Sequence, residues 1–327
     1  MAIDAVLLGT GGMMPLPGRW LSSLLIRSGG EVVLFDCGEG TQIAWRSAGW
    51  SFRRLGAICL SHYHADHVAG LPGLLHAVAN AGRVEPLAIF GPTGTRRIVA
   101  ALRSIAPVLP YPVEVTELGD GDRLALPGGL EGRVAAGEHG LPCIAFRVDL
   151  GRGRRFLRDR ARELGVPQRL WRRLQEGEDV EWDGGAASPD DVLGPPRPGA
   201  SLAYVTDTRP VPALGPLVAG VDLLVCEGTY GDSADAAKAA ERGHMTFAEA
   251  AGLATAGAVG QLWLTHFSPA VAEPDEFLPN ATAVFPGTTI GRSGLATTLA
   301  FPDEGTSTGM GATGSGHAPA LDRGSAP

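Results

Sequence analysis

The segment Ser61-His62-Tyr63-His64-Ala65-Asp66-His67 directly follows an apolar run, Leu55 to Leu60, which predicts a strand. Residues two apart on an extended chain point the same way about 6.6 Å apart, so His62 and His64 can reach one cation. The turn after them offers Asp66 and His67 to a second cation. A solvated polar loop is the alternative, but this spacing of imidazoles and a carboxylate favours a metal site.

Composition restricts the class of protein. The chain has 327 residues, is 44% hydrophobic and 19% charged, and carries a net charge of −8, so it is too apolar for a disordered chain and has no overall cationic surface for nucleic acid. Its four cysteines, Cys37, Cys59, Cys143 and Cys226, are widely spaced and predict buried thiols. The sequence shows neither a basic leader nor a run of about 20 apolar residues. We therefore expect a cytoplasmic protein with no membrane segment.

Short apolar runs and helical stretches alternate along the chain. Thr246 with Glu249 three residues later is a capping-box signature for the start of a helix. The pattern suggests two sheets with helices on their outer faces. The predicted strands are 3–8, 22–26, 32–35, 55–60, 87–90, 113–118, 130–135, 144–148, 202–205, 221–226 and 261–264, and the predicted helices are 40–48, 73–80, 95–104 and 247–258.

Two segments differ in composition from the rest. Residues 303–327 are mostly Gly, Ser, Thr, Ala and Pro and predict a disordered tail. Residues 151–199 read as an insertion between strands. Between Arg152 and Arg173 it carries nine arginines, a third of all basic residues, against only Asp159 and Glu163. This is either a basic arm for an RNA backbone or a solvated surface in a chain that uses arginine almost exclusively.

The metal-binding segment, followed by Gly70-Leu71-Pro72-Gly73, resembles the corresponding loop of the metallo-β-lactamase superfamily, and specifically of ribonuclease Z. Other segments resemble that family in the same order, over residues 3 to 295. The resemblance implies an α/β fold, the metallo-β-lactamase αββα sandwich of two mixed sheets flanked by helices, as a catalytic domain over residues 1–302. These segments are Leu8-Gly9-Thr10-Gly11, Phe35-Asp36-Cys37-Gly38, Thr206-Asp207-Thr208-Arg209 and Leu264-Thr265-His266-Phe267.

The resemblance also implies a set of metal ligands. His62, His64 and His139 would hold one ion, Asp66, His67 and His266 the other, and Asp207 would bridge them. The three distant residues lie next to predicted strands, where a scaffold commonly presents chemistry. Five imidazoles favour two Zn²⁺ per subunit, with Mn²⁺ as the alternative.

Three residues are predicted to be catalytic by the same resemblance. Asp66 would orient or deprotonate the nucleophile, His244 would protonate the leaving oxygen, and Glu227 would orient His244. A structural role is the alternative for Glu227, because Cys226 and Gly228 flank it where the family has His and Ala.

The implied function is 3′ processing of precursor tRNA, leaving a 3′-hydroxyl on the tRNA and a 5′-phosphate on the trailer. The implied partner is precursor tRNA, gripped by the basic arm of one subunit in a homodimer and presented to the other subunit's site. Trp20, Gln168-Arg169 and Pro269 depart from the family pattern. The alternatives are a hydrolase of another phosphodiester or a sulfate ester, such as a small-molecule phosphodiesterase or an arylsulfatase-like enzyme, and an RNA-binding protein without catalysis.

Overall fold

Two seven-stranded mixed sheets form the centre of residues 1–302, which are the residues described by the computed structural model. The tail predicted at 303–327 lies outside the described residues. The first sheet contains β1 (Ala2–Gly9), β2 (Ser23–Ser28), β3 (Glu31–Phe35), β4 (Leu55–Cys59), β5 (Leu87–Pro92), β6 (Val113–Leu118) and β16 (Ala296–Ala300). The second contains β7 (Arg123–Leu126), β8 (Leu130–Ala136), β9 (Ile144–Arg152), β12 (Arg197–Val205), β13 (Leu223–Glu227), β14 (Gln261–Thr265) and β15 (Thr288–Ile290).

Each sheet is half antiparallel and half parallel. The first runs β16-β1-β2-β3-β4-β5-β6 and becomes parallel from β3 onward. The second runs β15-β14-β13-β12-β9-β8-β7, and its parallel part is β15 to β12. The parallel strands β4 of the first sheet, and β12 and β14 of the second, end in loops that carry candidate ligands, and the loop between the antiparallel strands β8 and β9 carries another.

Apolar side chains are buried in three layers. The middle layer lies between the sheets and includes Phe35, Phe146 and Tyr204. The outer layers cover the other face of each sheet with helices, which confirms the predicted two-sheet sandwich. The helices outside the insertion are α1 (Thr41–Ala48), α2 (Ala65–Val68), α3 (Leu71–Asn80), α4 (Thr95–Arg103), α8 (Leu214–Val218), α9 (Ala236–Arg242), α10 (Phe247–Ala256) and α11 (Leu278–Thr282).

The insertion forms a small unit with its own apolar cluster. β9 and β12 stay paired as far as Arg152 and Arg197, so the part outside the sheet is 153–196. It contains α5 (Arg158–Glu163), α6 (Trp171–Gln175), α7 (Pro189–Val192) and the hairpin of β10 (Val180–Trp182) with β11 (Gly185–Ala187). Leu174 and Val192 are fully buried inside this cluster. None of the helices within residues 1–302 has the length and apolar character needed to span a bilayer.

Candidate metal centre

The nine residues predicted for the site meet in one connected group at the strand ends between the sheets. The segment 61–67 follows β4, His139 lies between β8 and β9, Asp207 follows β12, and His266 follows β14. Six of the nine line a cavity of about 570 Å³, namely His64, Asp66, His139, Asp207, His244 and His266. The other three, His62, His67 and Glu227, are fully buried.

The first group of ligand atoms surrounds a common point. His64 Nδ1 lies 3.0 Å from His62 Nε2 and 3.2 Å from His139 Nε2. Asp207 Oδ2 lies 3.7 Å from His62 Nε2 and 3.9 Å from His139 Nε2. Ligand atoms about 2.1 Å from a tetrahedral ion are separated by roughly 3.4 Å, so the spacing fits a zinc-sized cation.

The second group has the same spacing and shares Asp207. His67 Nε2 lies 3.2 Å from His266 Nε2, and Asp66 Oδ2 lies 3.6 Å and 3.4 Å from these two nitrogens. Asp207 Oδ1 completes the group at 3.3 Å from His67 and 3.1 Å from His266. Because the two carboxylate oxygens of Asp207 face different groups, this side chain can join both.

Most of the imidazoles are fixed through their other ring nitrogen. Nδ1 of His67 contacts Asp36 Oδ2 at 2.8 Å, and Nδ1 of His266 contacts Thr229 Oγ1 at 3.0 Å. His62 and His139 are held at Nδ1 by Ser61 Oγ and by the carbonyl oxygen of Gly243, each at 3.1 Å. Such contacts direct Nε2 towards a metal and fix the ring's orientation.

Backbone conformation also sets the ligands in place. Asp207 and His266 follow their strands with φ values of 49° and 59°, which non-glycine residues adopt rarely and mostly at functional sites. The loop between β1 and β2 packs closely on the His266 ring. A Cβ atom on Gly12 of this loop would lie 2.6 Å from Cε1 of that ring. Only glycine fits at that position while the ring keeps its orientation.

Burial and charge shift the pKa values within the cluster. Burial lowers the pKa of His62 well below its ordinary value, which favours the neutral imidazole that a metal requires. Burial alone would raise the pKa of Asp207, yet His266 and His67 hold it well below the usual range. Burial likewise opposes a charge on His67, but Asp207 and Asp36 raise its pKa well above the ordinary value. The carboxylates that favour a proton there would equally favour a divalent cation.

His244 and Glu227 form a pair beside the ligand groups. His244 Nδ1 lies 3.2 Å from Glu227 Oε2, and its ring stands 4.9 Å from that of His139 and 5.5 Å from that of His266, between centroids. Burial lowers the pKa of His244, but the Glu227 carboxylate outweighs it and raises the pKa to about 9. An imidazole held in its protonated form beside a phosphodiester can act as a general acid.

Glu227 is held by further donors. Its carboxylate accepts hydrogen bonds from Thr208 N at 2.7 Å, Thr229 Oγ1 at 2.6 Å and Met245 N at 3.0 Å. A carboxylate this buried does not itself line the cavity, whereas the His244 ring that it contacts does.

Several residues of the site were not predicted. Asp36 holds Ser61, His67 and Tyr204, although the segment containing it carried part of the resemblance. Arg209 forms a salt bridge with Glu249 and donates to the carbonyl oxygen of His244. Their signal was available, because each carries a charge and lies in the loop that follows a strand, Asp36 one residue after β3 and Arg209 four residues after β12. The capping box predicted for Thr246 and Glu249 is confirmed, with Thr246 N donating to Glu249 Oε2 at 2.8 Å.

Comparison with known proteins identifies the family. Residues 21–154 match the model of the metallo-beta-lactamase superfamily. The chain is 43% identical over 302 residues to a ribonuclease Z of Agathobacter rectalis, covering 92% of this chain and all of the relative. It is 44% identical over 299 residues to a ribonuclease Z of Lachnoclostridium phytofermentans, covering 91% of this chain and 98% of the relative. The chain belongs to the ribonuclease Z family.

The crystal structure of the short form of human tRNase Z is similar in fold, with a TM-score of 0.66 at 24% identity over 91% of this chain and all of that one. Family membership confirms the resemblance found in the sequence and makes the chain a metal-dependent hydrolase of the nuclease class.

Proposed function

We propose that this chain is the endoribonuclease that removes the 3′ trailer from precursor tRNA, leaving a 3′-hydroxyl on the tRNA and a 5′-phosphate on the trailer. The proposal rests on a sequence identity of 43% and 44% to two ribonuclease Z relatives, over 92% and 91% of this chain. It rests equally on the two ligand groups, which meet at Asp207. Fold alone would not carry it, because one fold hosts many activities. The cytoplasmic location stays a prediction.

Two Zn²⁺ ions per subunit are the proposed cofactors. His62, His64 and His139 would hold the first, Asp66, His67 and His266 the second, and Asp207 both. The spacing of the ligand atoms fits, and imidazole nitrogen is a preferred zinc donor, while Mn²⁺ is the alternative. When bound, such a pair lowers the pKa of a water nucleophile and offsets negative charge on the phosphate.

The protein's own groups complete the reaction. Asp66 accepts a hydrogen bond from Met13 N at 2.6 Å, which fixes its carboxylate at the cavity wall, where it would orient the attacking water or take its proton. His244 would give a proton to the leaving 3′ oxygen. Glu227 is a positioning residue that would keep the His244 ring directed at that oxygen, since it contacts the ring and is itself fully buried behind the cavity wall.

The arm, residues 153–196, is the proposed contact for the tRNA body. Over residues 153–196 the chain has eight arginines and nine acidic residues, so the arm is nearly neutral as a whole. Its charge is concentrated around a groove of about 840 Å³, where six arginines face a single aspartate. The groove is lined by Arg154, Arg155, Arg158, Arg160, Arg162 and Arg197 with Asp159.

Several ion pairs of the arm are solvent-exposed and therefore hold the arginine side chains only weakly. Arg160 pairs with Glu163 and Arg162 with Asp159, with at least half of each side chain exposed. Such pairs contribute about 0–1 kcal/mol, so these guanidinium groups can exchange a carboxylate for a phosphate.

The test of the function is a precursor-tRNA assay with mapped ends. With Zn²⁺ or Mn²⁺, the purified chain is expected to cut once, just after the discriminator base. Hydrolysis of bis-p-nitrophenyl phosphate with the RNA left intact would instead favour a small-molecule esterase. Tight RNA binding without hydrolysis of either compound would favour a non-catalytic RNA-binding protein.

A homodimer in which each arm serves the partner's site makes a specific prediction. Replacing 153–196 by a short Gly-Ser linker should weaken RNA cleavage far more than hydrolysis of bis-p-nitrophenyl phosphate. Co-expressing that chain with His64→Ala should restore RNA cleavage, because the mixed dimer contains one intact arm facing one intact site.

Light scattering after gel filtration would establish that the mixed dimer forms. Equal losses on RNA and on the small ester would argue against the arm as an RNA contact. Failure of the mixed dimer to recover would show that each arm serves its own subunit.

A further inference from the structure

Lys238 is the only lysine of the chain, against 26 arginines, and it lies on α9 shortly before His244. It lines the same cavity as the candidate ligands, together with Arg242. The two residues are four apart on one helix, so their side chains lie on the same face. The wall of this cavity therefore carries two cations in addition to its carboxylates and imidazoles.

The surroundings of Lys238 keep its charge available. Its Nζ lies 5.0 Å from the centroid of the Tyr230 ring, a cation–π contact that orients the side chain without neutralising it. Tyr230 is tied to the His244 segment, because its carbonyl oxygen accepts from Phe247 N at 2.9 Å and its ring lies 6.4 Å from that of His244. The side chains of Lys238 and Arg242 are both exposed. Within residues 1–302, no carboxylate forms an ion pair with either of them.

Two exposed cationic side chains beside a site for phosphodiester cleavage are suited to bind a second phosphate group of the substrate. The scissile phosphate would be engaged by the ligand groups and His244, and neither Lys238 nor Arg242 pairs with the carboxylates of Asp66 or Asp207 there. An ammonium group binds phosphate as a point charge that tolerates a moving backbone, while a guanidinium adds a planar fork.

We propose that Lys238 and Arg242 hold the phosphate next to the scissile one and so align the RNA strand across the cavity. The proposal rests on the proposed function. It makes the pair a specificity element for polynucleotides, because a small ester such as bis-p-nitrophenyl phosphate has no second phosphate to bind.

A single lysine allows a direct footprint of this contact. The metal-loaded 327-residue chain is acetylated with an N-hydroxysuccinimide ester, with and without a precursor tRNA whose scissile 3′ oxygen is replaced by a methylene group so that the RNA stays intact. Mass spectrometry should show several-fold slower acetylation of Lys238 in the RNA complex, while the terminal amine of Met1 serves as the internal reference. Equal rates at Lys238 with and without saturating RNA would overturn the proposal.

Kinetics give a second readout. Lys238→Gln should raise KM for precursor tRNA about tenfold or more with little change in kcat, as expected for one charged hydrogen bond. The slope of log KM against log salt should fall by about 0.7–0.9, the value for one phosphate contact. Lys238→Arg should restore most of both. Arg123→Gln, which removes one positive charge from an exposed position on β7, is the matched control.

Two results would count against the inference. If Lys238→Gln lowers kcat for RNA and for bis-p-nitrophenyl phosphate by the same factor, Lys238 acts at the scissile phosphate or supports the fold. If the salt slope stays unchanged, no phosphate contact is lost. A wild-type chain that leaves precursor tRNA uncut would refute the proposed function, whereas a chain that cuts it without protecting Lys238 would refute only this inference.

Discussion

His64→Ala is expected to reduce hydrolysis of both precursor tRNA and bis-p-nitrophenyl phosphate by about a thousandfold or more, a loss of roughly 4 kcal/mol of transition-state stabilisation. His64 Nδ1 lies 3.0 Å and 3.2 Å from the ligand nitrogens of His62 and His139, so its loss opens the first ligand group. Because His64 is exposed, the fold should remain intact. Metal content by mass spectrometry and the melting temperature would be measured with the rates.

His76→Ala is the matched control, since His76 is an exposed histidine on α3, outside both ligand groups. It should keep the metal content and both activities of the parent chain. A His64→Ala protein that retains two metal ions and full activity would refute the ligand assignment. If the His64→Ala protein shows no melting transition, the loss of metal binding cannot be separated from the loss of the fold. His64→Asn then tests the ligand with a smaller change in volume.

His244→Ala is expected to lower RNA cleavage by about a hundred- to ten-thousandfold, the range for loss of a general acid. The 3′ oxygen of the ribose is a poor leaving group and must be protonated as it departs, whereas p-nitrophenolate departs without a proton. The small ester should therefore be hydrolysed with a far smaller loss. An RNA with sulfur at the 3′ bridging position should recover much of its rate with the variant, because a thiolate leaves unprotonated.

The metal content distinguishes the two possible roles of His244. Asp207, His244 and His266 also lie within 4.8 Å of one another, so His244 could itself bind a cation. If His244 acts only as a general acid, the His244→Ala variant should keep the zinc content of the parent chain. Loss of zinc in His244→Ala, with equal losses on RNA, on sulfur-bridged RNA and on the small ester, would make it a ligand instead.

Much of the fold was predictable from local pattern. Buried strands such as β4 and β14 consist of unbroken apolar runs, and α10 begins at the capping box of Thr246. Three edge strands were missed, β7, β15 and β16, and β7 has only four residues with alternate ones exposed. β16 is mostly exposed and β15 has three residues, so neither carries an apolar run, and both are strands only because β1 and β14 offer a free edge. The short helices of the arm were missed because their apolar residues pack on one another rather than on a sheet.

The sequence by itself determined the family and the residue types of the site, because His62, His64, Asp66 and His67 lie within six positions and their spacing survives in any fold that continues the preceding strand. Tertiary structure decided which distant residues join them. His139, Asp207 and His266 come from loops of the second sheet, and only the packing of the two sheets places their ligand atoms within 4 Å of the first set. The same packing decided that Lys238 lines the cavity, since a solitary lysine on a short helix carries no local signal of where its helix docks.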